Sequence, residues 1–161
     1  MNTQKDLIVR SVVDAWNARM ESADKLLDSL SDHQLEQEIA PGKNRGIYLV
    51  GHLTAVHDKM LPLLGFEEQV YPHLDEPFLK NPDKAVEKIP STAELRASWK
   101  NVHSKLAMHF SKLSADEWFD RHTSVSQEDF VKEPHRNRIN VLVGRTNHMQ
   151  YHVGQLALLK K

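Results

Sequence analysis

The chain has no cysteine among its 161 residues. That absence excludes a disulfide framework, thiolate metal ligation and a cysteine nucleophile, leaving nitrogen and oxygen donors for any metal. It also lacks an excess of charge of either sign, since 21 basic and 22 acidic side chains give a formal charge of −1. Nothing in that balance recruits nucleic acid or an anionic membrane, so small-molecule chemistry is the natural destination. No apolar run approaches the ~20 residues needed to span a bilayer. The stretch Met1 to Asp6 has neither the basic flank nor the apolar core of a signal peptide. A soluble, cytoplasmic protein is expected, and the length predicts one domain over 1–161 with a core that needs no covalent staples.

What the chain does have is helical periodicity. Residues 3 to 30 carry Val9, Val13, Trp16, Met20, Ala23, Leu27 and Leu30 at alternating steps of three and four, the signature of an amphipathic helix. Ser31-Asp32-His33 can cap a short helical piece, Pro41-Gly42-Lys43 breaks it, and Asn44 offers an N-cap to a second helix over about residues 45 to 64. That helix is apolar on most of its circumference and should end near Pro62 or Gly65. Pro72, Pro77, Pro82 and Pro90 make residues 65 to 90 a crossover with local structure, in which Asn81-Pro82 can open a short helix ahead of Val86. Ser91-Thr92-Ala93-Glu94 reads as a capping box for a third helix with the stripe Leu95, Trp99, Val102, Leu106, Phe110 and Leu113. Ser114 to Glu117 can start a short turn carrying Trp118 and Phe119; Asp129 to Lys132 is a strand-like patch in a polar stretch; a last helix starts near Asn140 and runs to the C-terminus.

Four long helices without a sheet predict an all-α four-helix bundle. Helices joined by a few residues must be antiparallel, whereas a crossover of about 25 residues between helices two and three can retrace a ~30 Å helix and let those two run parallel. An up-down-down-up topology follows.

The chemistry concentrates in the histidines. His148 and His152 are four residues apart, one helical turn, so both imidazoles project from one face and can close on a single metal ion. On a helical wheel they border the apolar arc that carries Val141, Met149, Val153 and Leu159. His52 shares a face with Tyr48, Leu49, Val56 and Leu63 on the second helix. A lone histidine on such a face is ordinarily a core residue satisfied by hydrogen bonds. Three of them need a partner for their ring nitrogens, which a divalent metal supplies. His57 lies five residues from His52, about 140° round the helix, and cannot easily share its metal. His33, His73, His122 and His135 read as loop residues, and His103 and His109 as rim or packing residues.

Other metal and catalytic schemes fail on the residues. No histidine has an acidic residue three positions before it, which excludes the Glu-x-x-His pattern of carboxylate-bridged di-iron bundles. Met149 and Gln150 fill the interval between the paired histidines and supply no general base of the His-Glu-x-x-His kind. There is no phosphate loop, dinucleotide fingerprint or Gly-x-Ser-x-Gly elbow.

Over nearly its whole length the chain resembles the DinB/YfiT-like superfamily of metal-dependent bundle proteins. The resemblance rests on Ala40-Pro41-Gly42-Lys43-Asn44, on Val50-Gly51-His52-Leu53, and above all on His148-x-x-x-His152-Val153-Gly154-Gln155. Val153 departs mildly from the arginine or leucine that often precedes the Gly-Gln pair. The resemblance implies an up-down-down-up bundle with a three-histidine site at His52, His148 and His152, holding zinc or, next, nickel. It also implies a possible homodimer and, from some relatives, thiol S-transferase or isomerase chemistry with a low-molecular-weight thiol.

Three neutral imidazoles would leave such a metal its full +2 charge and an open position, the arrangement of a catalytic zinc site. Acidified water would give a hydrolase and an ionised thiol a transferase. Because the chain has no cysteine, a thiol nucleophile would arrive as a cosubstrate. A hydrolase would need a nearby carboxylate base, and Asp58 lies about 120° round the helix from His52, off its face. The rival from another class is a non-catalytic, stress-associated metal-binding scaffold. Arg45 and Arg145 are candidates for a site mouth, with exposed ion pairs as their ordinary alternative.

Overall fold

The stripe predicted for residues 3 to 30 folds as α1, Gln4–Ser29, in the computed structural model, which describes residues 3–160. Thr3 caps it reciprocally with Asp6, satisfying orphan N–H groups of the first turn. Trp16, Met20, Ala23 and Leu27 are the buried face. α2, Asp32–Leu35, is the short piece foreseen after Ser31, which bonds reciprocally with Gln34.

The single helix expected over 45 to 64 is two. α3, Gly46–Asp58, stops at Lys59, and α4, Met60–Leu63, follows. Pro62 explains the interruption: it has no N–H for the carbonyl of Asp58, and its ring crowds that oxygen. The N-cap is Arg45 rather than Asn44; its side chain makes no cap bond, and its backbone N–H donates to Asp83 over 2.8 Å. Eleven of the thirteen residues of α3 are buried, which makes it the central element.

The crossover holds a 3₁₀ turn, Pro72–Leu74, and a π-helical turn, Glu76–Lys80. No helix forms after Asn81-Pro82; residues 83–87 are turn and bend. There Asp83 is tied to Arg45, and Tyr48 donates its hydroxyl to the Asn81 carbonyl over 2.8 Å. Asp58 anchors the start of the crossover by accepting N–H bonds from Val70 and Tyr71 at 2.9 and 2.8 Å.

α5, Thr92–Phe110, opens on the Ser91–Glu94 capping box. A 3₁₀ turn, Glu117–Phe119, buries Trp118. The strand-like patch is instead helical: α6, Gln127–Lys132, capped by Ser126 on the Asp129 N–H, with no buried residue. The side-chain cap outweighs the strand preference of Phe130 and Val131 because the described residues hold no strand for them to pair with. α7, Arg138–Leu156, begins two residues earlier than expected because Asn137 is its N-cap, accepting from the Asn140 N–H; it ends in a 3₁₀ turn, Ala157–Leu159.

The chain is thus all-helical among the described residues, with α1, α3, α5 and α7 around one apolar core. α1 packs on α7, and α3 packs on both α5 and α7. No helix among the described residues is long and apolar enough to cross a membrane.

Candidate metal centre

The α3–α7 contact brings together the three histidines singled out in the sequence. Nε2 of His148 lies 3.2 Å from Nε2 of His52 and 3.2 Å from Nε2 of His152. One ligand atom from each of the three residues falls within 4.8 Å of the others, and all three residues are partly buried. Among the described residues this is the one group of three or more histidine or carboxylate side chains so arranged.

The hydrogen bonds at the back of the rings fix the tautomers. Nδ1 of His52 donates to the Phe78 carbonyl over 2.8 Å, and Nδ1 of His152 donates to the Gln155 side-chain oxygen over 2.7 Å. With the proton on Nδ1, each Nε2 of these neutral rings carries a lone pair. Two lone pairs therefore face Nε2 of His148, which can donate to only one of them. A cation among the three nitrogens removes that conflict. The spacing agrees: metal–nitrogen bonds of about 2.0–2.1 Å in a tetrahedral site require nitrogens about 3.3 Å apart. Donation from Nδ1 to a carbonyl or amide oxygen is also the usual support of a metal-binding histidine. The cluster could hold a divalent metal ion, and the donor set fits one.

Electrostatics point the same way. Burial, reinforced by the neighbouring His152, His52 and Arg145, pushes the His148 pKa down to about 4. Burial also lowers that of His152, opposed by the Gln155 hydrogen bond and aided by His52. The two rings on α7 are thus held neutral, the form that binds metal.

Two supports of this site escaped the sequence reading. Gln155 stands three residues after His152 on one helix face, a spacing that could have revealed it. The Phe78 carbonyl, 26 residues from His52, leaves no side-chain signal. Gly51 makes that contact possible, since a Cβ there would lie 2.4 Å from the Phe78 ring.

The remaining histidines stay apart from the three. His57 is buried and its Nδ1 meets Nε2 of His103 at 2.7 Å; His103 is the packing residue expected, partly buried against Trp99, while His57 packs on Trp16. His109 bonds to Glu67 and stacks on Phe66. His33 sits in α2 and His73 in a 3₁₀ turn, while His122 and His135 lie in loops. Arg45 forms an ion pair with Asp83 at 2.8 Å, a largely buried one rather than the exposed pair expected. Arg145 forms none with the described residues. A groove of ≈ 830 Å³ between α2 and the C-terminal turn is lined by none of the three histidines.

An all-helical protein with three imidazoles converging from two helices defines a class of candidate metal proteins. The chain belongs to the DinB superfamily, whose family pattern matches residues 15–156 and so includes His52, His148 and His152. Comparison with curated proteins gives no match.

Proposed function

We propose that the protein is a metal-dependent enzyme that transfers a low-molecular-weight thiol to a small electrophile, with His52, His148 and His152 as ligands of a zinc ion, or next a nickel ion. The carrying observation is the convergence of three Nε2 atoms, with the His52 ring held from behind by the Phe78 carbonyl and the His152 ring by Gln155. When bound, a divalent metal on neutral imidazoles supplies a charge that lowers the pKa of a coordinated thiol or water.

The chain's own groups favour the thiol over water. A hydrolase needs a carboxylate base, but the histidine cluster includes no Asp or Glu. Asp58, the carboxylate weighed for that task, is buried and occupied by the Val70 and Tyr71 N–H groups. A thiol surrenders its proton near neutrality without such a base once a cation stabilises the thiolate. With no cysteine in the chain, the thiol must be a cosubstrate. Small thiols are kept reduced in the cytoplasm, which is where this reading puts the protein. The same reading takes the four long helices as one up-down-down-up bundle domain, supported by the length of the crossover between α4 and α5.

The test uses metal-loaded protein with a panel of low-molecular-weight thiols and an electrophile such as a chlorinated nitrobenzene or a bromobimane. Catalysis is expected with at least one thiol. No rate above that of the His52→Ala variant overturns the proposal.

A further inference from the structure

Among the half-buried arginines one stands without a partner. Arg45 pairs with Asp83, and Arg96 pairs with Asp32 and binds the Leu27 and Leu30 carbonyls. Arg136 pairs with Glu133, and Arg138 binds the Leu64 and Glu117 carbonyls and Asp120. Arg145 pairs with none of the described residues, and its Nε is shut off from solvent without a hydrogen-bond acceptor. A guanidinium in that position has donors aimed at something the protein itself does not provide.

Its surroundings say what would satisfy it. Arg145 lines an open groove of ≈ 450 Å³ with Lys59, Gln69, Thr123 and Ser124; no Asp or Glu lines that groove, and none of the three histidines does, so Arg145 is its link to the histidine cluster. The far wall is held in place: the Thr123 N–H donates to the Leu63 carbonyl over 2.9 Å, and its hydroxyl donates to the Pro62 carbonyl over 3.0 Å. Lys59 and Gln69 are both turned onto Asp75, at 2.6 and 3.1 Å, so the lysine charge is already compensated. The Arg145 charge is the one left over. It stands three residues before His148 on α7, a spacing that puts the two side chains on one helix face.

We infer that Arg145 anchors a carboxylate of the small molecule that occupies the three-histidine site, with the Lys59–Thr123 groove receiving the body that bears it. The planar guanidinium fork matches the two oxygens of a carboxylate. One uncompensated positive charge suits a monoanion, which selects a carboxylate over a doubly charged phosphate. This inference rests on the thiol-transfer reading for the identity of the substrate, and on the geometry alone for the anion site.

Two measurements separate those supports. In the first, the full-length metal-free protein is titrated with sodium acetate, and separately with inorganic phosphate, at constant ionic strength while arginine Nε–H resonances are followed by NMR. The Arg145 resonance, assigned through its own backbone, is expected to move saturably with acetate and less with phosphate. Absence of a saturable acetate shift, or tighter phosphate binding, overturns the inference without touching the transferase reading. In the second, metal-loaded protein is assayed with mercaptoacetate and with the neutral 2-mercaptoethanol. Arg145→Gln should raise KM at least tenfold for the carboxylate thiol and leave the neutral one unchanged, while Arg145→Lys keeps part of the preference. Equal effects on both thiols overturn the inference. If neither thiol reacts, the transferase reading falls for these thiols, and the acetate titration decides the anion site.

Discussion

His52 donates from Nδ1 to the Phe78 carbonyl over 2.8 Å, and this bond ties a metal-facing ring on α3 to the π-helical turn of the crossover. The contact depends on Gly51, which lets the Phe78 ring lie directly on the helix. Gly51→Ala is therefore expected to push Phe78 outward and release His52. Overpacking of this kind costs about 1–3 kcal/mol of stability. Loss of the supporting bond should weaken metal binding by about 10–100-fold. Urea unfolding and calorimetric titration with zinc measure the two effects; unchanged zinc affinity would show that Phe78 does not orient the ligand.

Gln155 gives the complementary case, since it supports His152 at 2.7 Å from a partly exposed position. Gln155→Leu should leave thermal stability nearly unchanged and reduce metal affinity by about tenfold or more. Gln155→Glu keeps the acceptor and should bind at least as well as the parent. Competition with a chromogenic chelator reads both variants, and equal affinities in all three proteins would remove Gln155 from the site.

The buried pair His57 and His103 makes stability depend on pH. Burial pushes His103 down to about 3, partly offset by the Trp99 backbone. Burial, with added charge repulsion from His103, His148, Arg145 and His52, lowers His57 well below its ordinary value. Both rings are neutral in the folded protein but take up protons in the unfolded chain near pH 6.5. Stability is therefore full above about pH 6.5 and falls as pH drops toward 3, by up to about 1.4 kcal/mol per pH unit for each histidine. Urea midpoints of metal-free protein from pH 7 to 4 test this. A His57→Leu/His103→Leu variant should show a shallower slope; the same slope as the parent would assign the acid sensitivity elsewhere.

Asp58 separates a structural carboxylate from a catalytic one. Asp58→Ala leaves the Val70 and Tyr71 N–H groups without acceptors, an expected loss of about 3 kcal/mol in denaturant unfolding. Metal stoichiometry, read by elemental analysis, should stay the same. A variant of unaltered stability that loses activity would instead make Asp58 the base of a hydrolase.

Most elements were legible because their signals are local. The stripe of Trp16, Met20, Ala23 and Leu27, the cap at Ser31 and the capping box at Ser91 act within one or two helical turns, and each is observed. The misreadings arose where neighbours in sequence competed. Pro62 acts on a carbonyl four residues back, so it splits the second helix at Lys59 rather than ending it. Phe130 and Val131 favour a strand, but Ser126 caps them into a turn of helix. Arg45 and Arg145 look alike in sequence; Asp83, 38 residues after Arg45, engages the first and leaves the second free.

The sequence by itself determined the half of the site that lies within one element. His148 and His152 converge because four residues make one turn of α7 whatever surrounds it. Gln155 follows one turn on by the same rule. Only the tertiary structure decided that His52 meets them, that Phe78 holds it, and that His57 turns to His103 instead. Those contacts depend on how α3 packs against α5, α7 and the crossover. Packing joins residues 26 to 96 positions apart, a separation at which helical periodicity shows which face is apolar but not what will cover it.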